Sequence, residues 1–261
     1  MDRLAVIDQE SARFAEVLTD VAPDTRVPTC PEWDARDLLW HLTEVHLFWA
    51  GILNSGARTD AEVAAVDEGM PGRPEHLQEL LELRAHATAS LIAALRDIAD
   101  DEPRWSWWGP DQTAGFTRRM QTYEATMHRV DAERTAGLKV TPIADEVAYG
   151  AIDHCADVMW AYLPEWAKYT PRAVVELRTD DEEHSWTIEA GRWHGTGPES
   201  GNDFDEPRAV RAATGADPDA HFTGTAHDLA LWAWGRGGHV MPWGDDVAIV
   251  AMQDVIDAGI Q

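Results

Sequence analysis

Cysteine is nearly absent from this chain. Cys30 and Cys155 are the only two among 261 residues, far apart and without a C-x-x-C spacing, which excludes both a disulfide framework and a thiolate-based zinc site. Positive charge is also scarce. Lys and Arg number 21 against 47 Asp and Glu, a formal net charge of −26. Such a surface repels phosphate backbones and anionic lipid headgroups, and no basic stripe reverses this locally, so neither nucleic-acid nor membrane-surface partners are expected. No window approaches the roughly 20 apolar residues of a membrane span. The N-terminal Met1-Asp2-Arg3-Leu4-Ala5-Val6-Ile7-Asp8 places acids early and lacks the apolar core of a signal peptide, so a cytoplasmic location is expected. Internal repeats and low-complexity tracts are absent too.

Apolar residues make up 44% of the chain, enough to build packed cores. At this length two domains are expected, since single domains most often run to roughly 100–150 residues. The first two-thirds carries helical periodicity. Leu4, Ile7, Phe14, Val17 and Leu18 form one apolar face, and Val27 to Trp33 reads as an extended connector. Asp34, with Asp37 three positions on, is an acidic capping signal for a second helix through Leu38, Leu39, Leu42, Val45, Phe48, Trp49 and Ile52. A third helix follows Pro74, a fourth covers about 116–136 and a fifth about 143–162. Short connections favour an antiparallel bundle. Beyond Pro171 the pattern changes to short β-type runs at 173–179, 185–188, 192–194, 209–213 and 221–225, then helical patterns at 228–234 and 246–256. The expected architecture is α+β, with a helical bundle over 1–165 and a small α+β domain over 172–261.

The sharpest chemical signal is Tyr123-Glu-Ala-Thr-Met-His128. Glu124 and His128, at i and i+4, project from one face of one helix. His41 sits on another helix, between Trp40 and Leu42, on a stretch whose apolar neighbours turn it into the bundle. Two imidazoles and a carboxylate form the donor set of an open, catalytic type of divalent-metal site, with zinc the metal it suits best. Spacing alone leaves a second reading open, in which Glu124 and His128 form a solvated helix pair and His41 is a hydrogen-bonded core residue.

Three segments carry a family resemblance. Val27-Pro-Thr-Cys-Pro-Glu-Trp-Asp-Ala-Arg-Asp-Leu-Leu-Trp-His-Leu42, Tyr123-Glu-Ala-Thr-Met-His-Arg-Val-Asp-Ala-Glu133 and Ala226-His-Asp-Leu-Ala-Leu-Trp-Ala-Trp-Gly-Arg236 resemble, in order, signatures of the mycothiol-dependent maleylpyruvate isomerase family. That resemblance implies a DinB-like four-helix bundle followed by a sterol-carrier-like C-terminal domain. It places the metal ligands on His41, Glu124 and His128. It further implies mycothiol, the low-molecular-weight thiol of actinobacteria, as thiol cosubstrate, and a small electrophile as substrate. In the isomerase reaction a metal-activated thiolate adds to a cis double bond, rotation follows, and elimination leaves the trans isomer. By motif position Arg236 is the candidate catalytic arginine for binding a substrate carboxylate. A further arginine of the first domain has no fixed counterpart among Arg58, Arg73 and Arg84. Alternatives to the isomerase are a mycothiol S-transferase acting on a reactive metabolite or toxin, and a non-catalytic metal- or ligand-binding protein.

Other residues weigh less. His46 lies about 140° around the helix from His41, so the two do not face one metal. Asp131 reads as a structural or solvent-facing acid, with support of His128 as the lesser reading. Cys155, on an apolar helix, reads as a buried small hydrophobe rather than a nucleophile. Trp105, Trp107 and Trp108 either plug an end of the bundle or line a pocket.

Overall fold

The computed structural model describes residues 1–260 and divides into two compact units, Met1–Thr141 and Pro142 onward. In the first, α1 (Arg3–Thr19), α2 (Ala35–Ser55), α4 (Leu77–Arg96) and α5 (Ala114–Thr135) form the bundle, with a short α3 (Asp60–Glu68) between α2 and α4. Each start has a local cause. Asp2 accepts from the Ala5 amide to begin α1, Asp34 and Asp37 form a reciprocal capping box at α2, and Thr113 accepts from the Phe116 amide at α5. Gly56, at φ 73°, closes α2 in the left-handed conformation that a side chain would disfavour.

Side-chain pairings fix the helix directions. Arg3–Tyr123, Glu10–Arg129 and Arg13–Glu133 keep a nearly constant sequence offset, so α1 and α5 run parallel. Arg118 donates to the Leu95 and Ile98 carbonyls, which sets α4 antiparallel to α5. Arg36 reaches Pro74, and Arg84 reaches Leu42 and His46, so α2 and α4 are parallel. The consecutive pairs α1–α2 and α4–α5 are thus antiparallel. The longer α3-bearing connection carries the chain back to the same end before α4. Phe14, Val17, Leu18, Leu38, Leu39, Leu42 and Leu80 pack together as the core between these helices, each large side chain stabilising by roughly 1.5–3 kcal/mol.

The 27–33 connector folds as a small hairpin, β1 (Arg26–Val27) with β2 (Cys30–Asp34), antiparallel and irregular in register. It leads directly into α2. Among these helices α5 is unusual, because 18 of its 22 residues are buried although its sequence is mostly polar. Its polar side chains must therefore find partners inside the protein.

In the second unit, α6 (Asp145–His154) runs into a single π-helical turn, Cys155–Met159. A five-stranded sheet follows, built from β3 (Lys168–Thr179), β4 (Ser185–Thr196), β5 (Asp203–Arg211), β6 (Ala220–Gly224) and β7 (Met241–Gly244) in the order β5-β4-β3-β6-β7. Its one parallel pair is β3 with β6; the other neighbours are antiparallel. Helices α7 (Ala226–Ala233) and α8 (Asp246–Asp257) complete it. Alternating Trp186, Ile188 and Ala190 on β4, with Val175 and Leu177 on β3, supply the buried face. The α+β architecture expected from sequence is the one observed.

The boundary falls at 141/142 rather than between 165 and 172. The reason is packing. Trp234 Nε1 donates to the Ala151 carbonyl, Trp186 Nε1 donates to Asp153, and Arg211 bonds to both Asp153 and Asp157, so α6 and the π turn belong with the sheet domain. Among the described residues no helix is long and apolar enough to cross a membrane.

Candidate metal centre

Three side chains from two helices converge in the first unit. The Asp34/Asp37 capping box starts α2 one residue before Arg36, and His41 follows two turns in. On α5, Glu124 and His128 face it from successive turns. The donor atoms of His41, Glu124 and His128 all lie within 4.8 Å of one another. His128 Nε2 and Glu124 Oε2 are 3.2 Å apart, and the His41 and His128 rings meet edge-on at 4.8 Å between centroids. Trp33, at the end of β2, lies against His41 with centroids 4.6 Å apart. His128 is buried, whereas His41 and Glu124 are partly exposed. The cluster is closed on one side and open on the other.

Behind His128 stands a group whose role the sequence left as the lesser reading. His128 Nδ1–H donates to Asp131 Oδ2 at 3.0 Å, and the Thr29 hydroxyl donates to Asp131 Oδ1 at 2.6 Å. The Asp131 side chain is fully buried. A carboxylate on Nδ1 fixes the tautomer that leaves Nε2 facing Glu124 and His41, and it raises the basicity of that nitrogen. Thr29 comes from the β1–β2 hairpin, 102 residues away in sequence. Burial works against a proton on His128, but the hydrogen bonds to Asp131 and Glu124 outweigh it and hold the group up at about 8.

These residues fit a divalent cation. Two nitrogens or oxygens bound to one tetrahedral zinc at roughly 2.1 Å lie about 3.4 Å apart. The 3.2 Å Glu124–His128 separation is close to that value, and His41 offers its donor atom within 4.8 Å of the other two. Two neutral imidazoles and one carboxylate leave coordination positions for a water or a substrate atom. Among the described residues this is the one cluster of His, Cys, Asp and Glu side chains arranged to hold a metal ion.

His46 takes no direct part, as its angular position on α2 implies. It is fully buried, and its Nδ1 accepts from Arg84 Nη2 at 3.1 Å, which places its proton on Nε2. Burial, with the Arg84 and His128 charges nearby, holds it well below 6.5 and therefore neutral. Of the three candidate arginines in the first domain, Arg58 pairs with Glu102 and Arg73 with Asp37, while Arg84 is buried between α2 and α4. Arg236 lies in the second unit, in the turn that ends α7. Its amide donates to the Leu231 carbonyl, its Nη1 to the Trp234 carbonyl, and Gly235 before it takes φ 70°.

Cys155 is buried and hydrogen-bonded to the Ala233 carbonyl at 3.7 Å; burial pushes its thiol well above the ordinary value, which removes it as a nucleophile. Trp105 stacks on Trp49 and donates to Asp60, and Trp107 packs edge-on against Phe116. These contacts make that loop a plug at the end of the bundle.

Comparison with known proteins follows the same division. Residues 4–133 match the family model described as the mycothiol maleylpyruvate isomerase N-terminal domain, and residues 146–249 match the MDMPI C-terminal domain. A crystal structure of the mycothiol-dependent maleylpyruvate isomerase superposes with a TM-score of 0.58 at 18% identity, covering 94% of this chain and 93% of that one. The crystal structure of a histidine-to-alanine mutant of that isomerase gives the same values. At this identity the likeness establishes the fold. No curated protein matches the chain.

Proposed function

Because the chain belongs to the mycothiol maleylpyruvate isomerase family in both of its domains, we propose that it is a mycothiol-dependent metalloenzyme that activates a thiol for addition to a small electrophile, with isomerisation of maleylpyruvate the first reaction to test. The observation that carries this reading is the convergence of His41, Glu124 and His128, with Asp131 bonded to the far nitrogen of His128.

His41, Glu124 and His128 would hold the metal, and the donor set favours zinc over harder cations such as magnesium, which prefer all-oxygen ligands. When bound, such a cation supplies the positive charge that deprotonates a thiol near neutral pH. The chain's own residues do the rest. Asp131 keeps Nε2 of His128 directed inward, Glu124 contributes negative charge that tempers the acidity of the site, and Trp33 covers the His41 ring. The overall acidity of the protein offers nothing to a carboxylate-bearing substrate, so a positioned guanidinium is needed, and Arg236 is the proposed one.

An assay with mycothiol separates the outcomes. With maleylpyruvate, catalytic turnover and full recovery of free thiol support the isomerase. A stable conjugate with that or another electrophile rejects the isomerase in favour of a mycothiol S-transferase. Retained metal with neither reaction across a panel of electrophiles rejects an enzymatic role and leaves a metal- or ligand-binding protein.

A further inference from the structure

Most polar side chains along α5 are satisfied in a visible way. Thr122, Thr126 and Thr135 each return their hydroxyl to the carbonyl four residues earlier, at 2.8, 2.8 and 2.7 Å. Arg129 and Glu133 bond to each other, to Glu10 and to Thr141. Arg129 keeps one nitrogen, Nη2, without a partner, whereas the side chains of two other residues have none at all. Gln121 and Thr117 are fully buried, yet neither amide atom of Gln121 nor the Thr117 hydroxyl has a hydrogen-bond partner among the described residues. Leaving such groups unmade costs about 1–3 kcal/mol each. A buried carboxamide with no protein partner at either end is a feature that a bound molecule, an ordered water or a ligand, explains.

Their position points to the same conclusion. At about 100° per residue, Thr117, Gln121, Glu124 and His128 fall within an arc of about 60° on α5. The unsatisfied groups therefore share a stripe with two of the three proposed metal ligands. Gln121 lies about 4.5 Å along the helix axis from Glu124, and Thr117 about 10 Å. On α2, His46 Nε2 is a third buried group without a partner, close enough to His128 to feel its charge.

We infer that Gln121, with Thr117 beyond it, is a recognition subsite for the amide of a thiol that reaches the metal through its sulfur. This rests on the thiol-activating reading above and adds to it what the site recognises besides sulfur. A carboxamide presents a donor and an acceptor side by side, and a secondary amide answers both; a carboxylate would leave the Gln121 oxygen unpaired, and a thioether or alkyl group would leave both ends unpaired. In a thiol built on N-acylated cysteine the amide lies roughly 3–5 Å from the sulfur by ordinary bond lengths. That reach matches the step from Glu124 to Gln121.

The test compares two thiols on cobalt-loaded protein, read by the sulfur-to-cobalt charge-transfer band: N-acetylcysteine methylamide, which carries the amide, and 2-mercaptoethanol, which does not. In Gln121→Met, which keeps the volume and removes the amide, the first thiol is expected to bind about tenfold more weakly and the second within about twofold of the parent. Metal content stays the same. Should Gln121→Met not fold, Thr117→Val carries the same comparison, with a smaller selective loss of about threefold expected. Equal loss for both thiols, or no loss for either, overturns the subsite and makes Gln121 a packing residue. Absence of the band in the parent protein with either thiol is a different failure, because it removes the thiol-activating reading itself.

Discussion

Asp131→Asn leaves the shape of the buried group behind His128 nearly unchanged and alters what it offers that imidazole. In the parent, Asp131 accepts from His128 Nδ1 at 3.0 Å and from the Thr29 hydroxyl at 2.6 Å. An asparagine keeps one acceptor. With Thr29 still donating to that oxygen, the amide NH2 turns toward Nδ1 and favours the opposite tautomer, which puts the proton on the nitrogen that should face the metal. Relief requires Thr29 to reverse its hydroxyl and accept, and even then the negative charge that strengthens the imidazole is gone. A neutral water does not restore that charge, and bulk solvent screens the pair little, since the Asp131 side chain is 0% and that of His128 6% exposed. Losing a carboxylate partner of this kind weakens metal binding by roughly 10–100-fold, or about 1.4–2.7 kcal/mol, and this burial places the effect toward the upper end. Competition for zinc against a chromophoric chelator measures it. Affinity within twofold of the parent, with only a lowered Tm, would refute the reasoning and make Asp131 a purely structural acid.

Two further outcomes follow from the same geometry. In metal-free protein the His128 proton is held up to about 8, against 6.5 for an ordinary histidine, so its stabilisation is complete below about 6.5 and disappears as pH rises through 8. That is about 2 kcal/mol, so the Tm of the metal-free protein should fall across this window; metal affinity should rise over the same range as the competing proton leaves, both checked by melting curves and metal titrations from pH 6 to 9. Cys155→Ala should leave thiol-dependent turnover within twofold of the parent in a steady-state assay, because the Cys155 thiol is buried against the Ala233 carbonyl and held protonated.

The residues that proved legible in the sequence share one property, which is that their evidence is local. Glu124 and His128 are one helical turn apart, and the Asp34/Asp37 cap that starts α2 is a four-residue pattern. What escaped depends on distance or on weak patterning. The Thr29–Asp131–His128 chain joins a hairpin to a helix across 102 residues, so nothing near Asp131 distinguishes it from a surface acid. α3 buries none of its residues, so it has no apolar stripe to read, and its Thr59/Glu62 capping box was the only signal. β7, Met241-Pro-Trp-Gly244, is an exposed edge strand containing proline, and it lacks the alternation that marks its neighbours. The division at 141/142 was hidden for a similar reason. α6 has the composition of a bundle helix, and only its bonds to Trp186, Arg211 and Trp234 show which core it serves.

The central claim is that His41, Glu124 and His128 form an open metal site to which a thiol sulfur binds. The most direct measurement loads the protein with one equivalent of cobalt and titrates it with mycothiol while recording the sulfur-to-metal charge-transfer band. A saturable band is expected in the parent protein, with cobalt and band both lost in His128→Ala. Cobalt retained in His128→Ala, or stoichiometric cobalt in the parent that gives no band with the thiol, would contradict the account.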